Sequence, residues 1–125
     1  MKREIKYRGK DLENENSWRY GSLIVYPNGN YVIVEFDKDG NELSYDVDSE
    51  TVGQFTGLYD KDGKEIYEGD ILKVDWMRSL AYVEYHRDSI MVYPYNSIGR
   101  YLREVDGDCI VVDNIHDNPE LLKWR

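Results

Sequence analysis

Leu23-Ile-Val-Tyr-Pro-Asn-Gly-Asn-Tyr-Val-Ile-Val-Glu-Phe36 decides the fold class of this chain. Two runs rich in Ile, Val and Tyr flank Asn28-Gly29, and Asn-Gly supplies the positive φ angles that a two-residue hairpin turn needs. Pro27 has no N–H to give to a ladder, so it belongs at a strand end. Along the second run Val32, Val34 and Phe36 share one face, and Tyr31, Ile33 and Glu35 line the other. A further turn at Asp39-Gly40 leads into Leu43, Tyr45 and Val47, which alternate with Ser44, Asp46 and Asp48. That alternation marks a half-buried strand with one wet face.

The same pattern continues downstream. Asp37-Lys-Asp-Gly-Asn-Glu-Leu43 nearly repeats as Asp60-Lys-Asp-Gly-Lys-Glu-Ile66. Two copies cannot build a solenoid, which needs about three stacked units, so this is one turn sequence used twice. Ile71 to Trp76, Ala81 to Tyr85 and Ile90 to Tyr93 read as short, closely spaced strands, the spacing of a small sheet curled into a barrel. Ile98, Tyr101, Leu102 and Val105 follow i, i+3, i+4, i+7 with Asn96 or Ser97 as cap, which supports a short amphipathic helix, or an irregular strand because of Gly99. Cys109 to Val112 is a last apolar strand. Asn118-Pro119-Glu120 resembles a helix start, with Leu121, Leu122 and Trp124 to dock it.

The whole reads as a mainly β fold, α+β at most. It comprises an N-terminal β-hairpin lobe over residues 1–57 and a small β-barrel with a short terminal helix over 58–125. The 125 residues suffice for a core without metal or disulfide staples. One cysteine, Cys109, excludes an intramolecular disulfide and suits a reducing cytosol. The apolar runs are strand-length, too short to cross a membrane as helices, and no secretory leader pattern opens the chain. The expected location is therefore the cytoplasm.

Charge narrows the partners. The formal net charge is -9, so non-specific duplex DNA is an unfavourable ligand. Lys2, Arg3, Lys6, Arg8 and Lys10 make a basic start opposed only by Glu4, expected as a solvated strand edge that resists aggregation. Between Glu104 and Glu120 lie six carboxylates and no Lys or Arg.

Several landmarks, in order, are similar to one known family. They are Arg3-Glu-Ile-Lys-Tyr-Arg8, Trp18-Arg-Tyr-Gly-Ser-Leu-Ile24, Val47-Asp-Ser-Glu-Thr-Val52 and Asn114-Ile-His-Asp-Asn-Pro-Glu-Leu-Leu122. Above all, Gly53-Gln-Phe-Thr-Gly-Leu-Tyr-Asp-Lys-Asp-Gly-Lys-Glu-Ile-Tyr-Glu-Gly-Asp-Ile-Leu72 resembles the hallmark of the YopX-like family of phage and prophage proteins. The resemblance implies a phage or prophage origin and an SH3-like barrel in the second half, and it brings no activity. Glycines 53, 57, 63 and 69 suit turns and close backbone approach. The hallmark is thus expected as scaffold, with Tyr59 and Tyr67 exposed on it.

The chemical constellations are weak. Glu35-x-Asp37-x-Asp39-Gly40 with Asp46 imitates a calcium loop, yet Glu stands first, Asp stands last and strands flank it, so a hairpin is expected. His86-Arg87-Asp88 resembles a kinase catalytic loop, but Tyr93 stands where asparagine is required, so it reads as a charged turn. His116 beside Asp113 and Asp117 is a poor ligand set. Cys109 next to Asp106 and Asp108 reads as a buried small hydrophobe, its pKa raised by those acids. No catalytic, cofactor or metal residue is singled out. The resulting expectation is a non-enzymatic accessory protein that binds a protein partner or itself. The alternatives are an acidic DNA mimic and a binder of single strands through the basic start and aromatics.

Overall fold

The structure, a computed structural model, describes residues 4–14, 16–94 and 98–123. Lys2, Arg3, the Asn96 or Ser97 cap and Trp124 lie outside them. Among the described residues no helix is long and apolar enough to cross a membrane. The chain divides into two compact units, Met1–Phe55 and Thr56–Arg125.

The first unit holds β1 (Tyr7–Lys10), β2 (Trp18–Val25), β3 (Tyr31–Phe36), β4 (Glu42–Val47) and the start of β5 (Gly53–Tyr59). Their order across the sheet is β4-β3-β2-β1-β5, and each pairing within the unit is antiparallel. The sheet curls until the ends of β1 and β4 meet in a bridge between Asp11 and Val47, with Leu12 N donating to Asp46 O and Asp48 N to Lys10 O. Ile33, Val47 and Phe55 are buried.

The basic start departs from expectation. β1 is paired on both sides, so it is no edge, and Arg8 is buried. The cations in and just before β1 lie over rings: Lys6 at 5.4 Å from Phe55, Arg8 at 4.7 Å and Lys10 at 5.8 Å from Trp18. Such contacts let a strand carry alternate cations into a packed sheet.

The second unit starts with the rest of β5, which pairs with β6 (Glu65–Tyr67). Gly57, at φ 83, kinks β5, and the Thr56 hydroxyl spans the kink by accepting from Leu58 N and donating to Ile66 O. Then follow β7 (Asp70–Val74), β8 (Ala81–His86), β9 (Ser89–Pro94), β10 (Arg100–Tyr101) and β11 (Cys109–Asn114), in antiparallel order β10-β9-β8-β7-β11. The SH3-like barrel is not closed: β10 and β11 are the two edges of an open sheet. β10 has two residues, too few to reach a partner, and the outer edge of β11 is already bonded elsewhere, as shown below. Ile66, Leu72, Val74, Val83, Val92 and Leu102 form the heart of its core.

Among the described residues 98–106 there is no α-helix, and Ser97 lies outside them. β10 is followed by two single 3-10 turns, Leu102–Glu104 and Asp106–Asp108. Leu102 and Val105 are buried three residues apart, whereas Ile98 and Tyr101 are exposed. The i, i+3 half of the apparent pattern is real, and it is satisfied by a 3-10 turn. The terminal helix is likewise 3-10, Pro119–Lys123, starting with the proline as expected.

The three signature hairpin loops are longer than two residues. Tyr26 N donates to Asn30 O, Asp37 N to Asn41 O and Asp60 N to Lys64 O. Each encloses three residues, with glycine third at φ 93, 85 and 85 (Gly29, Gly40, Gly63). Among the described residues Arg87, in the His86-Arg87-Asp88 turn, is the one non-glycine at positive φ. Asn28, Asp39 and Asp62 are therefore right-handed, giving a type I turn closed by a left-handed glycine. Pro27 sits at the first loop position, where its fixed φ fits.

These glycines differ in what surrounds them. A Cβ at Gly63 would meet nothing, so Gly63→Ala should cost only backbone strain, about 1 kcal/mol. Gly69 has φ 93, and its Cβ would lie 3.4 Å from His116 Nε2. Thermal unfolding should therefore show Gly69→Ala melting below Gly63→Ala; the reverse order would mean that the His116 turn yields freely.

Candidate functional site

A fork in the first sheet makes a concavity in that unit. β1 pairs with β2 over Trp18 to Gly21, while β3 pairs with it over Ser22 to Val25. The β2–β3 ladder ends at Ser22 and Val34. One step further the Glu35 carboxylate replaces a strand partner, accepting from Tyr20 N at 3.0 Å. Gly21 sits at the parting point, where a Cβ would lie 2.1 Å from Val34 O. Only a residue without a side chain lets the two strands approach there and diverge beyond.

The fork opens a cleft of about 460 Å³, lined among others by Ile5, Lys6, Tyr20, Val34, Glu35 and Phe36. Ile5 is 69%, Tyr20 42% and Phe36 65% exposed. Glu4 pairs with Lys6 at 3.5 Å on its rim. The lining is mixed, with Glu4, Lys6 and Glu35 beside the exposed Ile5, Tyr20 and Phe36, a composition that suits a polypeptide. A second hollow of about 350 Å³ carries Glu13, Asp46 and Asp48 on its border. Asp48 caps the 3-10 turn Ser49–Thr51 by accepting from Glu50 N, so that carboxylate is engaged in the backbone.

The sequence candidates fall as follows. Asp37 accepts from Asp39 N, Asn41 N and Asn41 Nδ2, which is turn chemistry. The Asn41 bond and the others hold its carboxyl below the usual range. Glu35 and Asp46 lie in separate strands, bonded and paired as β residues. Among the described residues no group of three His, Cys, Asp or Glu could hold a metal ion. His86, Arg87 and Asp88 form the β8–β9 turn. His116 N donates to Asn114 Oδ1, Asn114 Nδ2 to Asp117 Oδ2 and Asn118 Nδ2 to Asp113 Oδ2, a self-bonded turn. Of the acidic run, Asp108 also accepts from the Trp76 indole.

Cys109 is buried. Burial first, then the carboxylates of Asp60, Asp106 and Asp108, push its thiol up to about 12. At pH 8 the native thiol should react with an aromatic disulfide reagent roughly a thousandfold more slowly than in urea, following its thiolate fraction. Equal rates would show that β11 opens freely.

The residues that sequence reasoning missed are carboxylates within the 53–72 segment. Asp60 Oδ1 accepts from Asp62 N and Lys64 N, and Oδ2 accepts from Val111 N at 3.0 Å. Lys61 N donates to Cys109 O. Together they occupy the outer edge of β11, as a neighbouring strand would. Asp70 is buried and accepts from Tyr67 N. Tyr59 is exposed as expected, but Tyr67 is buried at 2% with its hydroxyl donating to Glu65.

The family model described as YopX protein matches residues 6–123. The chain belongs to the YopX protein family. Among solved structures it is similar to the crystal structure of protein EF1440 from Enterococcus faecalis, with TM-score 0.60 and 22% identity, covering 97% of this chain and 99% of that one. At that identity the likeness establishes the shared fold. No curated protein matches the chain. In this YopX-family member the hallmark 53–72 thus contains the β5 kink at Gly57, the Asp60 turn that holds β11 and the positive-φ Gly69.

Proposed function

We propose that this YopX-family chain is a non-enzymatic, phage- or prophage-encoded accessory protein that binds a polypeptide in the Gly21 cleft, within the host cytoplasm. The observation that carries this reading is the exposure of Ile5, Tyr20 and Phe36 together around one concavity. Grouped large apolar side chains at a surface are the usual mark of a protein contact. The acidic DNA mimic draws no support from the 104–120 run, because Asp108, Asp113 and Asp117 bond within or beside their own turns.

The test compares wild type with an Ile5→Ser, Tyr20→Ser double variant of matched melting behaviour. Tagged protein from lysogenic cells should retain a polypeptide that the variant does not, or sedimentation should show a dimer that the variant loses. The latter result would make the partner a second copy. A wild type that is monomeric at about 100 μM and retains nothing the variant lacks would sink the proposal.

A further inference from the structure

The duplicated turn holds a strand in one copy and not in the other. Around Asp37 and around Asp60 the backbone bonds match: Asp37 N to Asn41 O at 2.9 Å and Asp60 N to Lys64 O at 2.8 Å, Gly40 N to Asp37 O and Gly63 N to Asp60 O both at 3.0 Å. The Oδ1 atoms match too, each accepting from the amides two and four residues on. The glycines share φ 85.

What the second copy does with this geometry is explicit. Asp60 Oδ2 accepts from Val111 N, and Lys61 N donates to Cys109 O, so one carboxylate and one amide grip residues i+2 and i of a strand edge. Ile66, at the end of the copy, is fully buried in the same cluster as Cys109 and Val111. In the first copy, among the described residues, Asp37 Oδ2 accepts from its own Asn41 Nδ2 at 3.2 Å and reaches no strand edge. Among the described residues the Lys38 N–H, the counterpart of the Lys61 N–H, has no acceptor. Leu43, the counterpart of the fully buried Ile66, is 39% exposed.

We infer that the Asp37 turn is a second strand-edge cap whose strand comes from a partner polypeptide. The occupant is the free edge of a β-strand with small apolar side chains at i and i+2. Its C=O at i accepts from Lys38 N, its N–H at i+2 donates to Asp37 Oδ2, and its apolar face meets Leu43. The occupied copy shows that this arrangement is satisfied by such a strand and by backbone bonds in both directions. The contact stands apart from the cleft reading, since none of Ile5, Tyr20 and Phe36 takes part in it.

The probe is a synthetic peptide of Gly107 to Ile115, the strand that the second copy already caps, added to the isotopically labelled full chain under reducing conditions. Amide shifts should appear at Lys38, Asp39 and Asn41 and saturate below about 1 mM. Lys38→Pro removes the donor and suits the turn, because Pro27 stands at the same loop position of the first hairpin. It should keep the melting temperature and weaken the peptide by about fivefold or more, the worth of one hydrogen bond. Silence at several millimolar peptide, shifts unchanged in Lys38→Pro, or shifts at Lys61 to Lys64 in place of Lys38 to Asn41 would each overturn the inference.

Discussion

Gly21→Ala should lower the melting temperature by about 10 °C or more, corresponding to about 3 kcal/mol for a chain of this size. The added Cβ would stand 2.1 Å from Val34 O and 3.0 Å from Val34 C, both backbone atoms. Val34 pairs with Ser22 in the ladder and with Ser44 on its other side, so its carbonyl cannot retreat without loosening β3 from one neighbour. Gly9→Ala is the milder comparison, because the Cβ there meets the Val47 side chain at 2.9 Å. Gly107→Ala meets nothing and should leave stability unchanged. Circular dichroism melts of the three variants decide the matter. If Gly21→Ala melts like Gly107→Ala, the two strands part without needing close approach, and the cleft is wider in solution.

The second large effect is at Asp60. Asp60→Ala strips the acceptor from Val111 N, a buried donor, and from two turn amides at once, for about 3 kcal/mol. Burial resists ionisation of this carboxyl, but the Val111, Lys64 and Asp62 amides outweigh it and hold its pKa below the usual value. A carboxyl depressed on folding stabilises fully above its unfolded value near 4 and loses that contribution as pH falls through the folded value. Wild type should therefore lose stability below about pH 4, with Asp11 and Asp37, also depressed, sharing the effect. Asp60→Ala should start lower at pH 7 and fall less steeply in acid. Urea unfolding at pH 7 and pH 3 gives both numbers, and parallel acid slopes would exclude Asp60 as a main contributor.

What the sequence made legible was local. Strands around Asn28-Gly29, Asp39-Gly40 and Asp62-Gly63 follow from alternation and turn residues a few positions apart, and all three hairpins exist. The turn length was misjudged because Asn-Gly serves a two-residue loop and a three-residue loop equally well, and only the closing bonds distinguish them. The 97–106 segment misled for a similar reason, as Leu102 and Val105 fit a 3-10 turn as well as an α-helix. The fork at Gly21 was not legible. It depends on β2 pairing with β1 over one half and β3 over the other, a register set by residues far apart in sequence. Asp60 looked like a turn aspartate, which it is, and its grip on Val111 lies 51 residues away.

The placement of β11 beside β7 also orders events in time. Ile110 lies opposite Lys73, with the whole β8–β9 hairpin between them in the chain. Hairpins form in about 1–10 μs, while pairings across long separations must first close a large loop against chain entropy. The second unit should thus acquire its hairpins early and wait for β11, leaving the buried side of β7 open in the interval. Any exposure of that apolar surface belongs to this waiting period, and the capture of β11 by the Asp60 turn ends it.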